Sequence, residues 1–154
     1  LSTFTHTPDG NIASETAGST ATAYTYSEAS RLAAITRNST LEAEFAYDAF
    51  EHRVRRSTTS GVSHFVFLPD GRLIGEYDGA TGAVIQEYVW MDDRLVGQVD
   101  GAGTLHYIQT GPLGQPLIVT DAGGSVAWRG ELSPFGELVT STGAGPEPDA
   151  RFLG

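Results

Sequence analysis

The chain has 154 residues, of which 40% are hydrophobic and 10% aromatic, a composition typical of a folded globular protein. Its 9 basic residues are all arginine and its 19 acidic residues give a net charge of −10, which argues against nucleic acid or an anionic membrane as the main partner. The absence of cysteine excludes disulfides and thiolate zinc sites, and no apolar run is long enough to span a bilayer.

Taken in chain order, the sequence consists of short apolar segments that repeat at intervals of about 20 residues. At most of these sites a second aromatic residue stands two positions after the first, which places both rings on one face of a strand. Such a period predicts a repeat architecture, in which one unit cannot bury its apolar face alone. The aromatic residues that we assign to the repeat are Tyr24, Tyr26, Phe45, Tyr47, Phe65, Phe67, Tyr88, Trp90, Tyr107 and Trp128.

The segments between the aromatic pairs have the composition of tight turns. Aspartate can bond the turn backbone with its side chain, and glycine accepts the positive φ that such turns require. Because these turns lie between alternating or apolar segments, the pattern predicts hairpin after hairpin. The turn residues that we single out on this ground are Asp70, Gly71, Asp100, Gly101, Asp121 and Gly124.

No window of ten or more residues shows convincing helical periodicity. Residues 27–35, "SEASRLAAI", could form a helix by propensity, but in the repeat register they align with residues 68–76, "LPDGRLIGE". We therefore predict a turn followed by a strand at this position. The predicted fold class is all-β, an antiparallel hairpin meander forming part of a curved sheet.

The one basic cluster is residues 52–56, "HRVRR". Regular strand alternation places Arg53 and Arg55 on one face and Arg56 on the other. A solvated strand face is the favoured interpretation of this cluster, ahead of a binding patch.

The sequence carries no motif of enzymatic chemistry: the nucleophile elbow, the phosphate loop and the paired histidines of a zincin are all missing. The histidines are scattered over separate repeats. Glu42 and Glu44 are expected on the solvent-exposed face of their strand, opposite the face that carries Phe45 and Tyr47. We expect no catalytic residue, no metal site and no cofactor.

Residues 107–137 resemble the Rhs repeat-associated core, in which an aromatic strand leads through a turn to an aliphatic strand, "TDAxG", an aromatic strand and "PFGE". Gly111 and Pro112 stand where the family usually has Asp and His, which leaves the turn intact. The upstream segments resemble the looser YD repeat of the same family, and Tyr47-Asp48 preserves the pair that names it. The resemblance adds to the turn and core residues Leu113, Gly114, Pro134, Phe135 and Gly136.

The resemblance implies a division of the chain into four parts. Residues 1–87 would be YD-type repeats and residues 88–140 the start of the Rhs core. Residues 141–150 read as a Gly/Pro-rich connector, and residues 151–154 as the first few residues of a further element that is cut short.

Proteins of the Rhs family are large bacterial polymorphic toxins and related surface proteins whose repeats form a β-shell around a C-terminal cargo. The resemblance therefore implies a structural, non-catalytic shell segment from a secreted or cell-surface protein. Its partners would be the rest of the shell and a C-terminal toxin or cargo domain. Since an open piece of sheet has unpaired edges, we also expect self-association through edge strands.

Two other classes of function stay open. The first is a cell-surface carbohydrate-binding or adhesion module built on YD repeats, in which aromatic residues such as Tyr88 or Trp128 would stack on sugar rings. The second is a small β-rich hydrolase with dispersed catalytic residues.

Overall fold

A computed structural model describes residues 1–133 and 138–148. Every regular element in these two ranges is a β-strand, and they number 14. This confirms the predicted all-β class. The strands are β1 (Ser2–His6), β2 (Ile12–Ala17), β3 (Thr20–Tyr26), β4 (Leu32–Arg37), β5 (Thr40–Tyr47), β6 (Arg53–Thr58), β7 (Gly61–Phe67), β8 (Leu73–Asp78), β9 (Val84–Met91), β10 (Arg94–Asp100), β11 (Leu105–Thr110), β12 (Pro116–Thr120), β13 (Val126–Leu132) and β14 (Leu138–Thr142).

The order of the strands in the sheet follows their order in the chain, and the paired strands run antiparallel. Strand β5 illustrates why such segments become strands: Ala43, Phe45 and Tyr47 are buried or half-buried, whereas Glu44 and Ala46 between them are exposed. This period of two suits a sheet that packs on one face and meets water on the other.

The segment at residues 27–35 is a turn followed by β4, as predicted.

Two kinds of turn alternate in residues 1–65. The tight kind has two central residues, and Asn38-Ser39 between β4 and β5 is an example. Both residues have positive φ, 47° and 66°, as a type I′ turn requires. This turn matches the right-handed twist of the flanking strands, so it favours hairpin pairing.

The longer kind of turn is built from five residues. In the first example Thr7 N–H donates to the carbonyl of Asn11 at 2.8 Å, and Gly10 N–H donates to the carbonyl of Thr7 at 3.0 Å. The fourth residue has positive φ, 87° at Gly10, and the strand register shifts beside the turn. The same two backbone bonds recur, within the described residues, in turns 7–11, 27–31, 48–52, 68–72, 100–104, 111–115 and 121–125.

The chain divides into two compact units. The first comprises residues 1–65 and 78–81, all of which the structure describes, and its buried apolar residues are Ala43 and Phe65. The second comprises residues 66–77 together with the chain from residue 82, and it contains a hydrophobic core cluster. The boundary after residue 87 that we drew from the sequence stays a prediction.

The connector after β14 is docked on the second unit. Ser141 and Thr142, which we had placed in the connector, belong to β14. Gly145 N–H then donates to the carbonyl of Ala127 at 2.9 Å, and Pro148 is among the most deeply buried side chains. Residues 149–150 and the further element at residues 151–154 lie outside the described residues.

The described residues contain no helix long and apolar enough to cross a membrane.

Candidate functional site

The repeat aromatics of the first unit lie on successive odd-numbered strands. Tyr24 on β3 and Phe45 on β5 are half-buried, whereas Phe65 on β7 is buried, with 5% of its surface exposed. The second aromatic of each pair, Tyr26 or Tyr47, stands at the last position of its strand. The two rings of a pair therefore share a face but differ in position along the strand.

The second aromatic of a pair makes a hydrogen bond that recurs from repeat to repeat. The hydroxyl of Tyr26 donates to the carbonyl of Ile12 at 2.8 Å, and the hydroxyl of Tyr47 donates to the carbonyl of Leu32 at 2.9 Å. Each acceptor is the first residue of the preceding strand, β2 or β4. The phenol thus spans the open end of its hairpin and ties the end of one strand to the start of the other.

The same bond recurs with a different donor in the second unit. The indole Nε1 of Trp90 donates to the carbonyl of Leu73, the first residue of β8, at 2.8 Å. We name these three bonds, from Tyr26, Tyr47 and Trp90, the hairpin staples. Sequence reasoning had assigned the rings only to packing. The signal it missed was that the second aromatic of these pairs carries a polar hydrogen, which Tyr and Trp have and Phe lacks.

The side chains of the basic cluster, residues 52–56, are distributed over the two faces of the sheet differently from the prediction. The register of β5 and β6 shifts between Ala46 and Tyr47, so that Phe45 faces Arg56 and Tyr47 faces Arg53. The bulge inserts an extra residue into β6 and places Arg53 and Arg56 on the same face. The prediction that they lie on opposite faces was wrong, because a bulge breaks strict alternation.

Both guanidinium groups cover aromatic rings of the first unit. The Cζ of Arg53 lies 5.6 Å from the ring centroid of Phe45 and 5.1 Å from that of Phe65. The Cζ of Arg56 lies 5.4 Å from the centroid of Phe65. The long arginine side chains thus exclude water from Phe65.

The core of the second unit is a row with one residue from each of five consecutive strands. Direct cross-strand partners form its centre, since Ile108 faces Val119 and Val119 faces Trp128. Such neighbours pack against one another on one side of the sheet. We call Tyr88, Leu95, Ile108, Val119 and Trp128 the core row, and Leu73, Trp90 and Leu138 pack against it.

The repeat aromatic Tyr107 lies outside the core row. It is next to Ile108 in the strand, so its side chain points to the other face, where 48% of its surface is exposed. Tyr88 and Trp128 are only 6% and 3% exposed. A sugar ring could not stack on either of these two rings, which corrects the residues that we had considered for the carbohydrate-binding alternative.

Several buried polar side chains lie beside the core row, on the same face of the sheet. Glu76 faces Gln86, and Gln98 faces both Tyr88 and His106. Gln98 is fully buried, accepts a hydrogen bond from Gln86 Nε2, and donates through its own Nε2 to the carbonyl of Pro146 at 2.8 Å. One buried amide therefore joins β9, β10 and the docked connector.

His106 belongs to this polar group and contacts the turn that precedes its strand. Its Nε2 lies 3.0 Å from Oδ2 of Asp100, and its Nδ1 is buried without a hydrogen-bond partner among the described residues. The backbone N–H of Thr104, followed by the His106 side chain, holds the pKa of Asp100 below its usual value. The carboxylate thus stabilises both its turn and the start of β11.

The predicted turn residues lie in the longer turns. Asp70 accepts a hydrogen bond from Arg72, with Nη2 to Oδ2 at 2.6 Å, and this bond holds the pKa of Asp70 below its usual value. Gly71 and Gly114 have φ of 90° and 79°. The other predicted turn residues in the described chain, at turns 100–104, 111–115 and 121–125, are Asp100, Gly101, Leu113, Asp121 and Gly124. Pro134, Phe135 and Gly136 lie outside the described residues.

The described part of the chain contains no group of three or more His, Asp or Glu side chains that could hold a metal ion. Its two His–Asp contacts, His52 with Asp48 and His106 with Asp100, lie in different units. The absence of enzymatic activity stays a prediction.

A model of the RHS protein family matches residues 105–142, a range that contains β11, β12, β13 and β14. The resemblance to the Rhs family is confirmed. The match includes Ile108, Val119 and Trp128 of the core row, so the Rhs pattern coincides with part of the buried core.

One curated relative aligns with nearly the whole chain. It is the double-stranded DNA deaminase toxin A of Burkholderia cenocepacia (strain H111), which is 24% identical over 188 aligned residues. The alignment covers 98% of this chain but 13% of the relative.

Solved structures of Tc toxins share the fold. A crystal structure of TcdB2-TccC3-TEV has a TM-score of 0.59 at 15% identity and covers 78% of this chain and 7% of that one. A structure of the Photorhabdus luminescens Tc holotoxin pore with a TccC3 mutation has a TM-score of 0.58 at 13% identity and covers 92% of this chain and 9% of that one. This chain thus spans a small part of each of these proteins.

Proposed function

We propose that this chain is a structural, non-catalytic wall segment of an Rhs shell that encloses a C-terminal toxin or other cargo. The observation that carries the proposal is the sheet itself, in which strand follows strand in chain order without a helix in the described residues. A sheet of this kind is extended simply by adding hairpins. The Tc toxin proteins that share the fold support this interpretation.

The hairpin staples suit a wall made of one layer. A sheet normally buries its apolar face against a second layer of secondary structure. The wall of a hollow shell has no second layer in direct contact with that face. Bonds such as those from Tyr26 and Tyr47 stabilise each hairpin from within. Arginine side chains cover Phe65 in place of a second layer.

The proposed partners are the remainder of the shell and the enclosed C-terminal toxin, and the proposed setting is a secreted or cell-surface bacterial protein. The relative from Burkholderia cenocepacia is itself named as a toxin, which supports this setting. The acidic net charge of −10 disfavours nucleic acid as the partner of the wall itself.

Limited proteolysis of the longer protein that contains this Rhs segment tests the proposal. We expect the region C-terminal to the shell to resist protease while the shell is folded, and to become cleavable after mild denaturation. A version of that region expressed alone provides the control for its intrinsic susceptibility. Equal cleavage of the enclosed and isolated forms would contradict enclosure.

One observation favours the carbohydrate-binding alternative as a second candidate. An open groove in the first unit is lined by Phe45 and Tyr47 together with Glu28, Arg31 and Glu51. Aromatic faces beside charged hydrogen-bonding groups suit a sugar ring. Glycan-array binding that is lost in Tyr47→Ala and retained in Tyr107→Ala would support this function, and an array without binding would reject it.

A further inference from the structure

The docked connector, residues 143–148, lies close to the backbone of β13. Gly145 N–H donates to the carbonyl of Ala127 at 2.9 Å. A Cβ atom at Gly143 would collide with the same carbonyl, and one at Gly145 would lie 2.7 Å from the Cβ of Ala127. The two glycines therefore permit an approach of the two backbones that a larger residue would prevent. The sequence itself thus specifies where the connector leaves the sheet.

One residue further on, the connector reaches a particular face of the sheet. The carbonyl of Pro146 accepts a hydrogen bond from Nε2 of Gln98 at 2.8 Å. Gln98 faces Tyr88 and is fully buried, so its side chain lies on the face that carries the core row. Pro148, two residues later, is also among the most deeply buried side chains. The connector therefore turns back over the core-row face and not over the opposite one.

The two contacts of the connector also show which way the sheet of the second unit bends. Ala127 belongs to β13 and Gln98 to β10, and three strand spacings separate these strands by about 14 Å in a flat sheet. Gly145 and Pro146 span at most about 7 Å, and the two hydrogen bonds add 2.9 and 2.8 Å. A strand side chain stands roughly perpendicular to its sheet, so Gln98 adds little reach across the strands. The sheet must therefore curve toward the connector, and its core-row face is concave.

The opposite face of the second unit has a different character. Val89 and Tyr107 are the cross-strand partners of Gly97 on that side. Their surfaces are 41% and 48% exposed. The two faces thus differ, since one is concave and crossed by the connector, whereas the other is convex and partly exposed.

We propose that the core-row face of this wall points into the cavity and faces the enclosed C-terminal segment, while the face that carries Tyr107 is the outer surface. A closed wall turns its concave side inward, and the connector leads the following chain to that same side. A cargo on the other side would require the chain to pass around an edge of the sheet. The inference rests on the proposed enclosure, and it adds which residues face the cargo.

Strand β14 supplies a matched pair of positions for the test. Ser141 faces Gly130, where a Cβ atom would meet the ring of Trp128, so Ser141 lies on the core-row side. Thr140 faces Glu131 on the opposite side, and both Thr140 and Ser141 are exposed. Since the chain contains no cysteine, Thr140→Cys and Ser141→Cys each introduce a single thiol, one on each face.

Thiol labelling of the longer protein that contains this chain, with any cysteines of its own replaced, measures the orientation. We expect a bulky polyethylene glycol maleimide to modify Thr140→Cys at least about tenfold faster than Ser141→Cys while the shell is folded. In urea both thiols should react at similar rates, which separates shielding from a difference in intrinsic reactivity. A photoreactive benzoylphenylalanine in place of Ser141 should also crosslink to the C-terminal region, and one in place of Thr140 should not.

Three results would overturn the inference, and they differ in what they say about the enclosure. Slow labelling and crosslinking at residue 140 instead of residue 141 would keep the enclosure and reverse the two faces. Equally slow labelling at both positions would show that neither face is the outer surface. Fast labelling at both positions without a crosslink would contradict the enclosure itself, and the inference would fall with it.

Discussion

The two units of the chain use the same hairpin plan with different sources of stability. In the first unit Ala43 and Phe65 are the buried apolar residues, whereas the second unit has the core row from Tyr88 to Trp128. The first unit therefore depends more on local features, namely its turns, its hairpin staples and the arginines over Phe65. Regular repetition can therefore replace part of a hydrophobic core, with many small local contributions to stability in place of long-range burial.

This difference predicts unequal local stability. Backbone amides that are protected by a packed core exchange with solvent only on larger unfolding events, whereas those in lightly buried hairpins exchange through local opening.

The largest effect should come from the core row. Trp128→Ala removes a ring that is 3% exposed and should lower the free energy of unfolding by about 3–5 kcal/mol. Tyr24→Ala, the corresponding truncation of a half-buried ring in the first unit, should cost about 1–2 kcal/mol. Urea unfolding of both variants measures the contrast, and equal losses would show that the two units do not differ as described.

The next effect concerns the docked connector. Gln98→Leu leaves Gln86 and the carbonyl of Pro146 without the buried amide and should cost about 1–3 kcal/mol. We also expect faster proteolysis between residues 143 and 148. Gln109→Leu, at an exposed position of β11, is the matched control and should leave the cleavage rate unchanged. Unchanged cleavage in Gln98→Leu would mean that the amide does not hold the connector.

A pH effect should follow from the turn aspartate of the second unit. The N–H of Thr104 and the side chain of His106 lower the pKa of Asp100 in the folded state. A folded pKa below the unfolded value stabilises the protein above about pH 4, and this stabilisation is lost as the pH falls through the folded pKa. Asp100→Asn should therefore destabilise the chain at pH 7, with the difference from wild type shrinking toward pH 2. Thermal unfolding across this pH range checks it, and a constant difference would refute the role of ionisation.

The smallest effect should come from a single hairpin staple. Tyr47→Phe keeps the ring and removes the donor to the carbonyl of Leu32, which should cost about 0.5–1.5 kcal/mol. Tyr107→Phe removes a hydroxyl from a ring that is 48% exposed and should have almost no effect on the free energy of unfolding. If both variants unfold at the same urea concentration as wild type, the staples do not stabilise the hairpins.

The features that could be predicted from the sequence are those set by local chemistry. Aromatic pairs such as Phe45 and Tyr47 reveal strand spacing, and Asp-Gly turns such as Asp70-Gly71 reveal where the chain reverses. Together these local signals predicted an all-β meander, which the structure confirms. The Rhs resemblance came chiefly from residues 107–137, with a looser likeness in the upstream repeats.

The features that the sequence did not predict depend on register or on distant contacts. The bulge that places Arg53 and Arg56 on one face is a shift of one residue, which strict alternation cannot foresee. The contact of Gln98 with Pro146 joins residues 48 positions apart, and no local pattern marks it. The candidate site was therefore predicted as a set of rings and turns, without the hydrogen bonds that connect them.

The most direct test of the proposed wall is a cryo-electron microscopy structure of the longer protein that contains this chain. We expect the strands of residues 1–133 to continue on both sides into further hairpins of one curved sheet, with additional density for a C-terminal segment enclosed by it. A compact domain that surrounds no cavity, or a shell with its C-terminal region outside, would contradict the account.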